Sequence, residues 1–269
     1  MSNLLKSSFY RLSKDLALRI CLIVAIGFAF INNFLNLVLS KVVGSDVLNV
    51  SSQSMFIQSF VPTSNLGIAI PILLIFFIVN EFRNGIIRNK IIAGHKKSTI
   101  YASLFIISII YTFILLFVYA LANALFGLII SGSSKDASFI GILKYTLMAI
   151  CVFIFIVSVV MFFTTLFRNA GGAIPIVILI VFMLTLVSSI ASSVALFTEE
   201  TIDTITYSWT VWINPLYSIG SSTVSNAALY KNVPQIPTLW YVASIVTPLY
   251  WSAIFFVSGL LIFKKRDIK

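Results

Sequence analysis

Long uninterrupted runs of Ile, Leu, Phe and Val alternate along the chain with short polar stretches that are mostly basic. A helix needs about 20 mostly apolar residues to cross a bilayer core of ~30 Å. On that measure the pattern predicts six spans, at roughly 16–39, 56–79, 100–130, 143–167, 173–197 and 241–263. The second contains Pro62 and Pro71, and the third is longer than a crossing requires, so its end tilts, bends or leaves the membrane. No alternation of apolar and polar residues marks a β-barrel, and the continuous runs argue for helices. The first run is of span length with no small-residue cleavage pattern after it, so it reads as a span rather than a cleaved signal.

The segments between the runs carry patterns of their own. Ahead of the first span Leu5, Phe9, Leu12 and Leu16 recur at helical spacing with Lys6 and Lys14 off the stripe. This predicts an amphipathic helix lying along the membrane surface, against the plainer reading of a polar lead-in to the span. Between spans two and three, Ile86, Ile87, Lys90 and Ile91 read as a short amphipathic helix closed by Gly94, with Ser98 or Thr99 capping the next span. A short helix with one apolar and one charged face suits docking on a soluble partner; as an ordinary basic loop it would expose its isoleucines needlessly. The segment 198–239 is long for a connection and rich in Ile and Trp. It is read as short helices that dip back into the leaflet, buried against protein where the backbone breaks, or as a surface cap.

Composition agrees with this picture: 59% of residues are hydrophobic, 10% are charged, and the mean hydropathy is +1.06. Soluble domains carry about 25% charge. The formal charge of +10 is distributed unevenly. Lys6, Arg11, Lys14 and Arg19 precede or open the first span; Arg83, Arg88, Lys90, Lys96 and Lys97 lie in the second loop; Arg168 is in the fourth; Lys264, Lys265, Arg266 and Lys269 form the tail. With Asp15, Glu81 and Asp267, that side carries +11, and the other carries −1. The positive-inside rule then predicts both termini in the cytoplasm. The four Trp residues, with Tyr207, Tyr217, Tyr241 and Tyr250, fall in the outer half, where amphipathic rings suit the interface. The charge is therefore membrane topology and indicates no nucleic acid.

The chain is poor in catalytic chemistry. No P-loop of the form GxxxxGK[ST] is present, and the nearest likeness, Gly94-His95-Lys96-Lys97-Ser98, lacks the first glycine. His95 is the only histidine and has no ligand set beside it; Cys21 and Cys151 lie within spans, so no metal site, catalytic group or disulfide framework is expected. Arg19 and Lys144 are the only charges inside the span limits, each near an end, so no proton relay is foreseen. Neutral polarity remains. Asn32 and Asn36 share a face of span one beside Asn33, Asn123 lies in span three, and Ser188 and Ser192 sit four apart in a small-residue cluster of span five. Two uses are open for these: hydrogen bonding and close approach between helices, or lining of a translocation path.

The order of elements resembles that of the permease subunits of type-2 ABC exporters (ABC-2 type). The likeness is sharpest in the run from Glu81-Phe82-Arg83-Asn84-Gly85 through Ile86-Ile87-Arg88-Asn89-Lys90-Ile91-Ile92-Ala93-Gly94-His95, which is similar to the coupling-helix signature of bacterial members. The resemblance implies an all-α integral membrane protein forming one transmembrane domain over 1–269. Its parts would be six transmembrane helices, an interfacial amino-terminal helix, a cytoplasmic coupling helix in 81–99 and re-entrant outer helices before helix six. It implies two permease chains, a homodimer or a heterodimer, each docked on a separate ABC ATPase subunit that holds the ATP and Mg. The permease is then a transport subunit, not an enzyme, and binds no cofactor itself. Glu81, Phe82, Arg83, Ile86, Ile87, Arg88, Lys90 and Ile91 would form the ATPase coupling site, and Asn32, Asn36, Ser188 and Ser192 would face the substrate path or the dimer axis. The setting would be a bacterial plasma membrane, and the cargo an amphipathic substrate, a toxin or antimicrobial peptide ahead of a drug or lipid. The competing expectation is a peptide-immunity or sensor protein that binds without pumping.

Overall fold

The computed structural model describes residues 2–43, 51–130, 132, 138–197, 211–220 and 238–265. Among them the regular elements are all helices: α1 (Ser2–Lys14), α2 (Leu16–Val43), α3 (Ser52–Gln58), α4 (Asn65–Arg83), α5 (Ile86–Ile92), α6 (Lys97–Ile130), α7 (Phe139–Phe167), α8 (Ala170–Phe197), α9 (Tyr217–Gly220) and α10 (Thr238–Lys265). Six of these, α2, α4, α6, α7, α8 and α10, are long and apolar enough to cross a membrane.

The bundle is organised around α7, two-thirds of whose span is buried, with α4, α6, α8 and α10 packed about it. Helix α2 packs chiefly on α6, and a broad face that includes Ile20, Ile23, Phe30 and Leu35 stays exposed. Among lipid chains there is no hydrophobic gain from helix association, so close packing and polar contacts must hold the bundle. Both are present. Ser158 on α7 donates to Ser252 on α10 at 2.8 Å, and Asn33 on α2 donates to Asn123 on α6 at 2.9 Å. Gly259 of α10 lies so close to the Tyr101 hydroxyl of α6 that a Cβ there would collide with it.

The second predicted span, 56–79, is in fact two elements. The chain runs through α3, breaks at Ser59–Ser64 and starts again as α4, whose membrane-length portion is Leu66–Arg83. Pro62 sits in the break, and Gly67 permits it: a Cβ on Gly67 would lie 2.5 Å from the Val61 carbonyl and 2.6 Å from that of Pro62. Helix α3 packs instead on the far end of α6, where the Ser52 hydroxyl donates to the Ala124 carbonyl at 2.7 Å. Its start is tied by a reciprocal Ser51–Ser54 cap.

The amino-terminal helix forms, but it divides the predicted stripe. Leu12 is buried and Leu5 half-buried, whereas Phe9 and Leu16 are exposed, and Leu4 takes the other buried place. One edge of α1 rests on the bundle and the next edge is left apolar and open. Helix α6 begins at Lys97, ahead of the predicted caps, with the backbone carbonyl of Lys96 accepting from Thr99 and Ile100. At the opposite end of the bundle, residues 211–220 pack on α8 and α10. Residues 198–210 and 221–237, with Trp209, Tyr207 and the acids Glu199, Glu200 and Asp203, lie outside the described residues, as do Asp46, Lys135, Asp136, Lys231, Arg266, Asp267 and Lys269.

Candidate functional site

The stretch 81–97 links α4 to α6 at the end of the bundle where α1 lies. Glycine bounds its helix on both sides. Gly85 is the N-cap of α5 in the left-handed conformation, φ +67°, and Gly94 follows its last turn at φ +85°. Gly94 N–H donates to the Ile91 carbonyl at 2.9 Å and His95 N–H to that of Lys90 at 3.2 Å. These two bonds form a Schellman closure, which satisfies carbonyls the short helix would otherwise leave free. The sequence prediction of a helix ended by Gly94 matches this segment.

Side chains then fix α5 to the bundle. Ile87 is fully buried and Ile86 and Ile91 are half-buried. Phe82, at the end of α4, packs edge-on against Phe263 of α10 with ring centroids 6.2 Å apart, and Phe263 in turn meets Tyr101 of α6 at 5.5 Å.

Glu81 is the electrostatic centre of the region. Its carboxylate accepts from Arg11 of α1 at 2.9 Å and from Lys90 of α5 at 3.4 Å, and Lys90 also donates to Ser8 of α1 at 3.3 Å. The side chain of Glu81 is 7% exposed, that of Lys90 12% and that of Arg11 46%. Three helices thus meet on one carboxylate. Glu81 is turned inward, so it braces the segment rather than presenting itself at its surface. Arg11 is the partner that the sequence does not point to: it lies 70 positions away and stands out in the chain only as one cation of the basic amino-terminal segment.

What remains outside is cationic and apolar together. Arg83 and Arg88 are exposed, and Ile92 is 73% exposed. Ile92 lies one helical turn from Arg88, so an apolar and a cationic side chain share the uncovered side of α5.

The other candidate residues go to different places. Asn33, between Asn32 and Asn36, is the one that enters the interior, donating to Asn123 and to the Ala29 carbonyl, while Asn123 donates to the Tyr119 carbonyl. Asn32 and Asn36 are half-buried, and Asn36 donates to the Asn32 carbonyl at 2.9 Å and meets the Met55 sulfur of α3 at 3.6 Å. Ser188 is fully buried and accepts from Asn214 at 2.9 Å; Asn214 also donates to the Leu184 carbonyl at 2.8 Å. Its position on α8 is therefore covered by this chain's own segment 211–220. The side chain of Ser192 lies outside the described residues. Among the described residues no three His, Cys, Asp or Glu side chains come together as a metal site.

Six membrane-length helices with open apolar faces define a multi-pass membrane protein. By sequence the chain belongs to the family described as a protein of unknown function (DUF2705), which it matches over residues 16–269. No protein of curated function matches it.

Proposed function

We propose that the chain is the permease subunit of an ATP-driven ABC exporter, with the α1/α5 end in the cytoplasm of a bacterial cell and α5 docked on a separate ATPase chain. The observation that supports this most is the build of 81–97. A seven-residue helix is stopped by a left-handed glycine on each side, tied to two other helices through Glu81, and left with Arg83, Arg88 and Ile92 uncovered. A loop needed only for its charge would not require this fixation. The arrangement suits a rigid lever: displacement of α5 by a partner would pass through Glu81 to α1 and through Phe82 to α10.

In this reading ATP and Mg sit on the partner, and a second permease copy completes the path, with α2 and α8 supplying apolar faces. The cargo is an amphipathic molecule, a peptide ahead of a drug or lipid, and segment 211–220 belongs to a re-entrant outer cap. The test is co-expression with a P-loop ABC ATPase from the same cell. A stable complex of equal stoichiometry is expected, and Arg88→Glu should lower its ATP turnover while the permease stays folded. A monodisperse chain that moves peptide with no ATPase would overturn the proposal. Peptide binding with no ATP-dependent uptake in inverted vesicles would favour the immunity or sensor reading.

A further inference from the structure

Beneath α1 the bundle holds a cavity of about 340 Å³ that the docking surface does not use. That volume falls in the range of small-ligand sites, about 300–1,000 Å³. It exists because α2 leans on α6 and barely touches α4, leaving a gap that α1 roofs. Its wall follows α4 from Leu73 to the cap residue Asn84, a depth of about 16 Å at the helical rise.

Polarity changes steadily along this depth. The mouth carries Arg11, Lys14, Glu81 and Asn84, and the interior carries Leu73, Phe76, Ile107 and Tyr111. Phe76 is itself 49% exposed, so the apolar end opens onto the outer surface of the bundle. A phospholipid of the adjoining leaflet has the same order, with a polar headgroup at the level of α1 and chains toward the middle of the spans. The charge at the mouth selects among headgroups. Both oxygens of Glu81 are taken by Arg11 and Lys90, and Asp15 also has a partner. Lys14 is exposed and has no partner among the described residues. The lining holds Arg11 and Lys14 against Asp15 and Glu81, and Lys90, outside the lining, takes the second oxygen of Glu81, so three cations in all face two carboxylates.

We infer that this cavity is a binding site for one anionic phospholipid, its phosphate held by Lys14 and Arg11 and a chain laid along Leu73, Phe76 and Tyr111. Free phosphate would leave the apolar depth unfilled, and a zwitterionic lipid would bring its own ammonium group to a mouth that already carries excess positive charge. The site stands on the fold alone and does not depend on an ATPase partner.

Cys21 lines the cavity and reports its occupancy. The purified chain in detergent is treated with N-ethylmaleimide after addition of phosphatidylglycerol, phosphatidylcholine or inorganic phosphate, and alkylation of Cys21 is read by peptide mass spectrometry. Phosphatidylglycerol should slow the reaction at least tenfold, with little effect from the other two. Lys14→Glu should abolish the protection, whereas Lys6→Glu, an exposed lysine of the same helix outside the cavity lining, should keep it. Both sites are exposed, so neither variant disturbs packing. Equal protection by phosphatidylcholine, protection by inorganic phosphate alone, or full protection in Lys14→Glu would each overturn the inference. No ATPase is present, so this outcome is separate from that of the export reading.

Discussion

Replacing Glu81 with glutamine keeps the shape and one acceptor but removes the charge that Arg11 and Lys90 share. Breaking a fully buried pair costs about 3–5 kcal/mol, and breaking an exposed one about 0–1 kcal/mol. Glu81 is almost enclosed at 7%, but its partners are 12% and 46% exposed and regain water when it is neutralised, which puts the loss at about 2 kcal/mol. This loss is local. The spans are held by α7 and its neighbours, while this carboxylate ties α1 and α5 to the end of α4, beside the packing of Leu12 and Ile87. Two kcal/mol corresponds to about 30-fold in an opening equilibrium. Hydrogen exchange in detergent should therefore show amides of α1 and α5 exchanging about 30-fold faster in Glu81→Gln, with α7 unchanged. Unaltered exchange in both short helices would refute the role given to Glu81. Faster exchange throughout the bundle would refute the claim that the effect is local.

Three other substitutions probe independent joints. Gly94→Ala has open space for its Cβ but forces alanine to φ +85°, so it should weaken the end of α5 by about 1 kcal/mol through backbone strain alone, visible as faster exchange at Gly94 and His95 positions. Asn123→Leu removes the acceptor of Asn33 and should lower thermal stability by about 0.6–1.7 kcal/mol, the range of interhelical hydrogen bonds in bundles, with Asn32→Leu costing less. Gly259→Ala should destabilise the α6–α10 contact because its Cβ meets the Tyr101 hydroxyl, and Tyr101→Phe should restore part of the loss; a double-mutant cycle with no coupling would contradict that geometry.

How far these features were legible depends on their range. The helical class and five of the six spans follow from runs of one composition, and α5 is legible because its apolar and basic positions alternate at helical spacing and Gly94 marks its end. The second span was misjudged because Phe56, Ile57, Phe60 and Val61 are as apolar as the helix that follows; hydropathy does not register the break, although Pro62 and the Ser64-Asn65 start carry its chemistry. The asparagines show another limit. Spacing puts Asn32 and Asn36 on one face, but α2 is apolar almost all round, so nothing local fixes its rotation, and packing turned Asn33 inward. The meeting of Arg11, Glu81 and Lys90 joins three helices, two of them 70 positions apart, and arises only from the fold.

The central claim is that α5 is a docking helix for an ATPase. A photo-crosslinking amino acid placed at Ile92, 73% exposed and one turn from Arg88, with a control at Ile129 at the far end of α6, tests it most directly in the native cells. The account predicts a one-to-one crosslink to a P-loop ATPase from position 92, abolished by Arg88→Glu, and none from position 129. A folded, membrane-inserted chain that crosslinks to no ATPase from position 92, or equally from both positions, would contradict it.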